Sequence, residues 1–212
     1  MRKYITEFIG TFFLVLTIIL SGQALAIGSV LMVMIFAGGH ISGAHYNPAV
    51  TLAVWLRGKI TMNEAIPYMI AQILGAVLAA LLSVWITGMD MEGQSMNLDE
   101  KTMQALVAEV LGTFALAYVV LNVATTKGTA GNSFYGLAIG FTVFACASGL
   151  GRISGGAFNP AVAIGLSVTK IFAWKNIWIY LAGCFGGATI AALIFTIINQ
   201  EDKTVPPLPK TI

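Results

Sequence analysis

HISGAHYNPAVT, residues 40–51, and RISGGAFNPAVA, residues 152–163, are one pattern written twice. They share Ile-Ser-Gly and then Asn-Pro-Ala-Val at a constant offset of 112 positions. Asn is a preferred helix N-cap and Pro is favoured at the first helical position. Asn47-Pro48-Ala49 and Asn159-Pro160-Ala161 therefore each read as the start of a helix. Both boxes sit within strongly apolar sequence. A helix that begins inside a membrane, in both halves of a duplicated chain, points to a solute path.

The composition agrees. Of 212 residues, 58% are apolar and 9% charged, and the mean hydropathy is +0.86. A soluble domain carries about 25% charged residues, so the chain reads as a polytopic, all-α membrane protein set in a lipid bilayer. A net charge of +2 without a basic cluster gives no basis for a nucleic-acid partner. Cys146 and Cys184 lie in apolar runs without metal-ligand spacing and read as buried thiols. The sequence holds no nucleophile–base pair, metal cluster or phosphate loop, so neither an enzyme nor a cofactor is expected.

Arg2 and Lys3, followed by an apolar run and Ala24-Leu25-Ala26, imitate a cleavable signal peptide. The run contains Glu7, however, and its pattern Glu-Phe-Ile-Gly-Thr-Phe returns as Glu-Val-Leu-Gly-Thr-Phe at residues 109–114. A discarded leader would not be half of an internal repeat, so this segment reads as a retained transmembrane helix.

About 20 apolar residues span a bilayer. Spans are expected near residues 4–20, 24–39, 64–87, 103–123, 134–150 and 175–199. Two half-helices near 47–57 and 159–169 are too short to cross alone. Ala71 to Gly75 in the third span is matched with Ala182 to Gly186 in the sixth. Three spans per half give the halves opposite orientation, an inverted 3+3 repeat with re-entrant half-helices meeting near the midplane. Repeat one covers about 1–88, the outer connection about 88–102 and repeat two about 103–199, with a tail at 200–212. Only about 36 residues, 4–39, supply the first two spans, so the Ser21-Gly22 turn must be tight.

With the termini inside, the inner segments hold Arg2, Lys3, Arg57, Lys59, Lys127, Lys203 and Lys210. The outer segments hold Lys101, Arg152, Lys170 and Lys175 beside Asp90, Glu92, Asp99 and Glu100. This bias places both termini in the cytoplasm. The tail, with Pro206, Pro207 and Pro209, is expected to be disordered.

The paired boxes and paired Glu-x-x-Gly-Thr-Phe motifs, over essentially the whole chain, resemble the aquaporin, or major intrinsic protein, family. Bacterial and nodulin-like members are more similar than classical glycerol facilitators, which usually carry Asp where this chain has Ala163. The resemblance implies a passive channel, one pore per subunit, a homotetramer and, for a bacterial member, residence in the inner membrane. Asn47 and Asn159 can cap their helices with the carboxamide oxygen and direct NH2 groups into the lumen. Glu7 and Glu109 are ionisable groups inside spans. A mirrored pair fits bracing of the loop backbones better than a directional proton relay. His45 resembles the family's pore-lining histidine; it offers a hydrogen bond to solute, senses pH or is simply packed. His40 is assigned to loop structure.

The family's outer constriction usually includes Arg three positions after the second Asn. Counted without gaps, the four corresponding positions are Ile27, Ala147, Gly156 and Val162, an apolar and mostly small set. The resemblance then implies a wide, arginine-free filter passing water with glycerol, urea or undissociated boric or arsenous acid. A strictly water-selective pore is the alternative. Arg152 is an ordinary vestibule arginine or reaches back to replace the missing charge. An ion-coupled transporter would need a carboxylate or cation site beside the helix breaks. A non-conducting structural member of the same fold stands as a further reading.

Overall fold

A computed structural model describes residues 1–88 and 95–200. Asp90, Glu92, Lys203, Lys210, Pro206, Pro207 and Pro209, which entered the sequence reading, lie outside the described residues. Eight α-helices follow in order: α1 Arg2–Ser21, α2 Ala24–Ser42, α3 Pro48–Leu56, α4 Met62–Thr87, α5 Thr102–Thr125, α6 Tyr135–Ser154, α7 Pro160–Val168 and α8 Ile177–Ile198. Six of these segments are long and apolar enough to cross a membrane. The nine-residue α3 and α7 rise only about 13 Å at 1.5 Å per residue, less than half the bilayer core.

The chain folds as two inverted repeats that exchange their half-helices. α1 packs on α4 and α5 on α8, while α3 reaches across to α8 and α7 to α4. Glycine sets the closest approaches. A Cβ on Gly187 would strike the carbonyl oxygen of Val110, and one on Gly75 that of Phe8. Matched packing therefore pairs Gly75 with Gly187. The alignment of residues 71–75 with 182–186 is one residue out, and Gly186 has nothing within 4 Å of a Cβ. The true partner of Gln72 is Cys184.

α1 and α2 are joined by Gly22 and Gln23 alone, with Gly22 in the left-handed region at φ 62°. α5 and α6 are joined by a longer segment that includes a 3₁₀ turn at Lys127–Thr129. This difference changes the repeat offset from 102 positions in the first helix of each half to 112 thereafter.

α2 and α6 run past their expected ends at 39 and 150, to Ser42 and Ser154. Each is closed by a left-handed glycine, Gly43 (φ 86°) and Gly155 (φ 91°). His40 and Arg152 consequently lie in the last turns of helices rather than in loops. On the face opposite the termini, the described part of the connection between halves is pinned to the segment before α8. Met96 N–H bonds Ile171 O at 3.0 Å, Lys175 pairs with Asp99 at 2.7 Å, and Phe172 stacks on Tyr180 with ring centroids 4.3 Å apart.

Candidate pore and its two Asn-Pro-Ala boxes

Asn47 and Asn159 are the N-caps of α3 and α7, with Pro48 and Pro160 at the first helical position. Asn47 Oδ1 accepts from Ala49 N–H at 2.8 Å, and Asn159 Oδ1 accepts from Ala161 N–H at 2.9 Å. The amide nitrogens bond across the repeat: Asn47 Nδ2 donates to Phe158 O at 2.8 Å, Asn159 Nδ2 to Tyr46 O at 2.9 Å. Each NH2 has two protons, so one ties the halves together and one is left for the lumen. Two helix N-termini meet here, each contributing roughly half a positive charge.

The loops leading into the boxes are held against their own conformational preference. Tyr46 (φ 50°) and Phe158 (φ 47°) are non-glycine residues in the left-handed region, a conformation that costs on the order of 1–3 kcal/mol each. Buried carboxyl groups offset that cost. Glu7 accepts from Ser42 Oγ (2.6 Å), His45 N (3.0 Å), Tyr46 N (2.7 Å) and Gln72 Nε2 (2.8 Å). Glu109 accepts from Ser154 Oγ (2.6 Å), Ala157 N (3.0 Å), Phe158 N (2.7 Å) and, at 3.6 Å, Cys184 Sγ. The rings seat on glycine: a Cβ on Gly10 would overlap Tyr46, and one on Gly112 would overlap Phe158. Nothing in the spacing announced these ring seats; the paired Glu-x-x-Gly motif carried the signal only for the glutamates.

The halves differ beneath the boxes. Thr51 Oγ1 donates to Asn47 O at 3.0 Å and receives Gln72 Nε2 at 3.0 Å. His45 Nδ1 stands 3.1 Å from the same oxygen. Since the hydroxyl proton is already placed, Nδ1 is the donor in that contact. The network thus assigns neutral His45 its Nδ1–H tautomer and leaves Nε2 as an acceptor. In the second half the equivalent positions are Ala157, Ala163 and Cys184, with no such network.

A cavity of about 30 Å³ runs past both boxes. Its lining follows the repeat, with Leu14 opposite Leu116, Ile27 opposite Ile139, Leu31 opposite Val143 and Val50 opposite Val162. His45, Asn47 and Asn159 are among its few polar side chains. Of the expected filter residues, the structure brings Ile27, Gly156 and Val162 to this lining, but not Ala147; on α6 the lining residues are Ile139 and Val143. Arg152 is exposed and is not in the lining. Val143 and Ala147 are one turn apart on one face of α6, and spacing alone does not say how far along that face the lining extends.

A family model described as Major intrinsic protein matches residues 1–195. Aquaporin NIP1-1 of Zea mays is 33% identical over 225 residues, covering 99% of this chain and 79% of that protein. Aquaporin TIP1-2 of Musa acuminata is 40% identical over 193 residues, covering 90% of this chain and 76% of that protein. Among solved structures, the aquaglyceroporin from Plasmodium falciparum superposes with a TM-score of 0.79 at 20% identity, covering 96% of this chain and 99% of that one. At that identity the likeness is one of fold.

Proposed function

The chain belongs to the major intrinsic protein family and is a membrane channel for water and small solutes; we propose that it passes compact neutral molecules larger than water, such as glycerol, urea or undissociated metalloid acids. The observation that carries this reading is Val162. It lies in the first turn of α7, 1% exposed, against the cavity, where the family usually has arginine. Its neighbours there, Ile27 and Gly156, carry no charge, so nothing fixed at that depth orients a solute or narrows the path as a guanidinium would. Asn47 and Asn159 offer donors at the centre and His45 Nε2 an acceptor, a combination suited to hydroxyl and amide solutes. Among the described residues no carboxylate lines the cavity. Glu7 and Glu109 turn their oxygens to loop donors, which speaks against an ion-coupled carrier.

A second reading, a strictly water-conducting pore, is favoured by the cavity's volume of about 30 Å³, room for a short file of waters. We further assign both termini to the cytoplasm from the basic-residue bias, and a homotetramer in a bacterial inner membrane from the family resemblance.

Stopped-flow light scattering on proteoliposomes, comparing water, glycerol, urea and boric acid, tests the reading. Fast entry of the larger solutes supports it. Fast water alone favours the second reading, and no flux of any kind points to a non-conducting member of the fold.

A further inference from the structure

We propose that the size limit of this pore lies at its end facing the chain termini, where Ile35, Val120 and His45 surround the lumen, and not at the outer set around Val162. The inference rests on the reading of the chain as a solute channel and moves the point of selection within it.

The repeat supplies the comparison. Gly28 and Gly140 touch where α2 crosses α6. Ile35 lies seven residues from that crossing toward the termini, and Ala147 lies seven residues from it in the opposite direction. At 1.5 Å per residue each is about 10 Å from the crossing, so they are equivalents at opposite ends of the lumen. The outer end therefore has Ala147 where the inner end has Ile35. It has Gly156 where the inner end has Ala44, and Ala157 where the inner end has His45. Ile27 and Ile139 are matched, as are Val162 and Val50. Only Ile18, opposite Val120, makes the outer end bulkier at its position. The balance of side-chain volume lies toward the termini.

The cavities show the same asymmetry. Ile35 lines the central cavity and Ala147 does not. A second cavity, of about 380 Å³ and bordered by Lys3, Lys59 and Tyr68, opens on the termini side. His45 and Val120 belong to the walls of both cavities. These two side chains form the partition between a narrow lumen and a roomy vestibule. The His45 ring is fixed in that partition by its Nδ1 contact to Thr51 (3.1 Å) and by packing against Tyr68, with ring centroids 5.2 Å apart. Selection at this ring is by apolar bulk, with His45 Nε2 the one polar edge presented to a passing solute.

The test compares Ile35→Ala, Val120→Ala and Ile27→Ala in proteoliposomes, reading glycerol permeability relative to water permeability. Ile35→Val, which removes one methylene, serves if Ile35→Ala does not fold. We expect Ile35→Ala and Val120→Ala to raise the ratio at least threefold, and more than Ile27→Ala does. A larger rise for Ile27→Ala overturns the inference. So does an unchanged ratio in both inner variants while water flux persists. Wild-type vesicles that conduct only water would overturn the wide outer filter separately; glycerol entry gained on Ile35→Ala would then still support the inner limit.

Discussion

Gly28 and Gly140 meet back to back at the crossing of α2 and α6: a Cβ on Gly28 would lie 2.6 Å from the carbonyl oxygen of Gly140, and one on Gly140 would lie 2.5 Å from that of Gly28. Neither oxygen can retreat without moving its helix. Gly28→Ala is expected to lower stability by about 1–3 kcal/mol, the usual cost of overpacking. Gly186→Ala, with open space around its Cβ, should raise stability by about 0.4–1 kcal/mol through the unfolded chain. Thermal unfolding in detergent, run on both variants together, checks the contrast.

Glu7→Gln replaces one acceptor oxygen by an NH2, which then faces either Ser42 Oγ and His45 N–H or Tyr46 N–H and Gln72 Nε2. A buried donor left unsatisfied costs about 1–3 kcal/mol, and the loop with the left-handed Tyr46 loses part of its hold. The expected result is at least about 2 kcal/mol of destabilisation, with water permeability falling in parallel when equal amounts of folded protein are reconstituted. Retained stability together with lost flux would indicate that the carboxyl group serves conduction directly.

Val162→Arg places a guanidinium against the lumen beside Gly156. Glycerol permeability should fall about tenfold more than water permeability, which amounts to about 1.4 kcal/mol of additional barrier. The measurement is solute and water flux on one preparation. Equal loss of both would show misfolding rather than selection.

Thr51→Val removes the oxygen that receives both His45 Nδ1–H and Gln72 Nε2. Stability should fall by about 1–3 kcal/mol for the buried donors left behind. The histidine, no longer held in one tautomer, should show altered ring-nitrogen chemical shifts in NMR. Unchanged shifts would remove Thr51 as the group that fixes the tautomer. The second half builds its equivalent site with Ala163 and Cys184, so the requirement belongs to the histidine and not to the fold.

What could be read from the chain alone was what the duplication writes twice. The boxes, the two glutamates and the spans all have repeat partners, and residue type there dictates capping, bracing or burial. What the chain does not carry is depth along a helix or contact between helices. Ala147 is one turn beyond Val143 on the same face of α6, and only the fold shows that the cavity lining on this helix ends at Val143. The alignment of Ala71–Gly75 is one residue out because Gly186 and Gly187 are adjacent and only contact with Val110 distinguishes them. His40 and Arg152 were misplaced because the glycines that end their helices, Gly43 and Gly155, follow several residues later. The cross-repeat bonds from Asn47 and Asn159 join backbone and side chain more than a hundred positions apart, beyond any local pattern.

Those two bonds also bear on how conductance can be switched. Phe158 O and Tyr46 O, each latched by the asparagine of the opposite half, make the centre of the lumen the joint between the halves. Any movement that widened or pinched it there would break both latches and release two strained loops at once. The midpoint is therefore a fixed aperture, and a gate, where one operates, works at the rims.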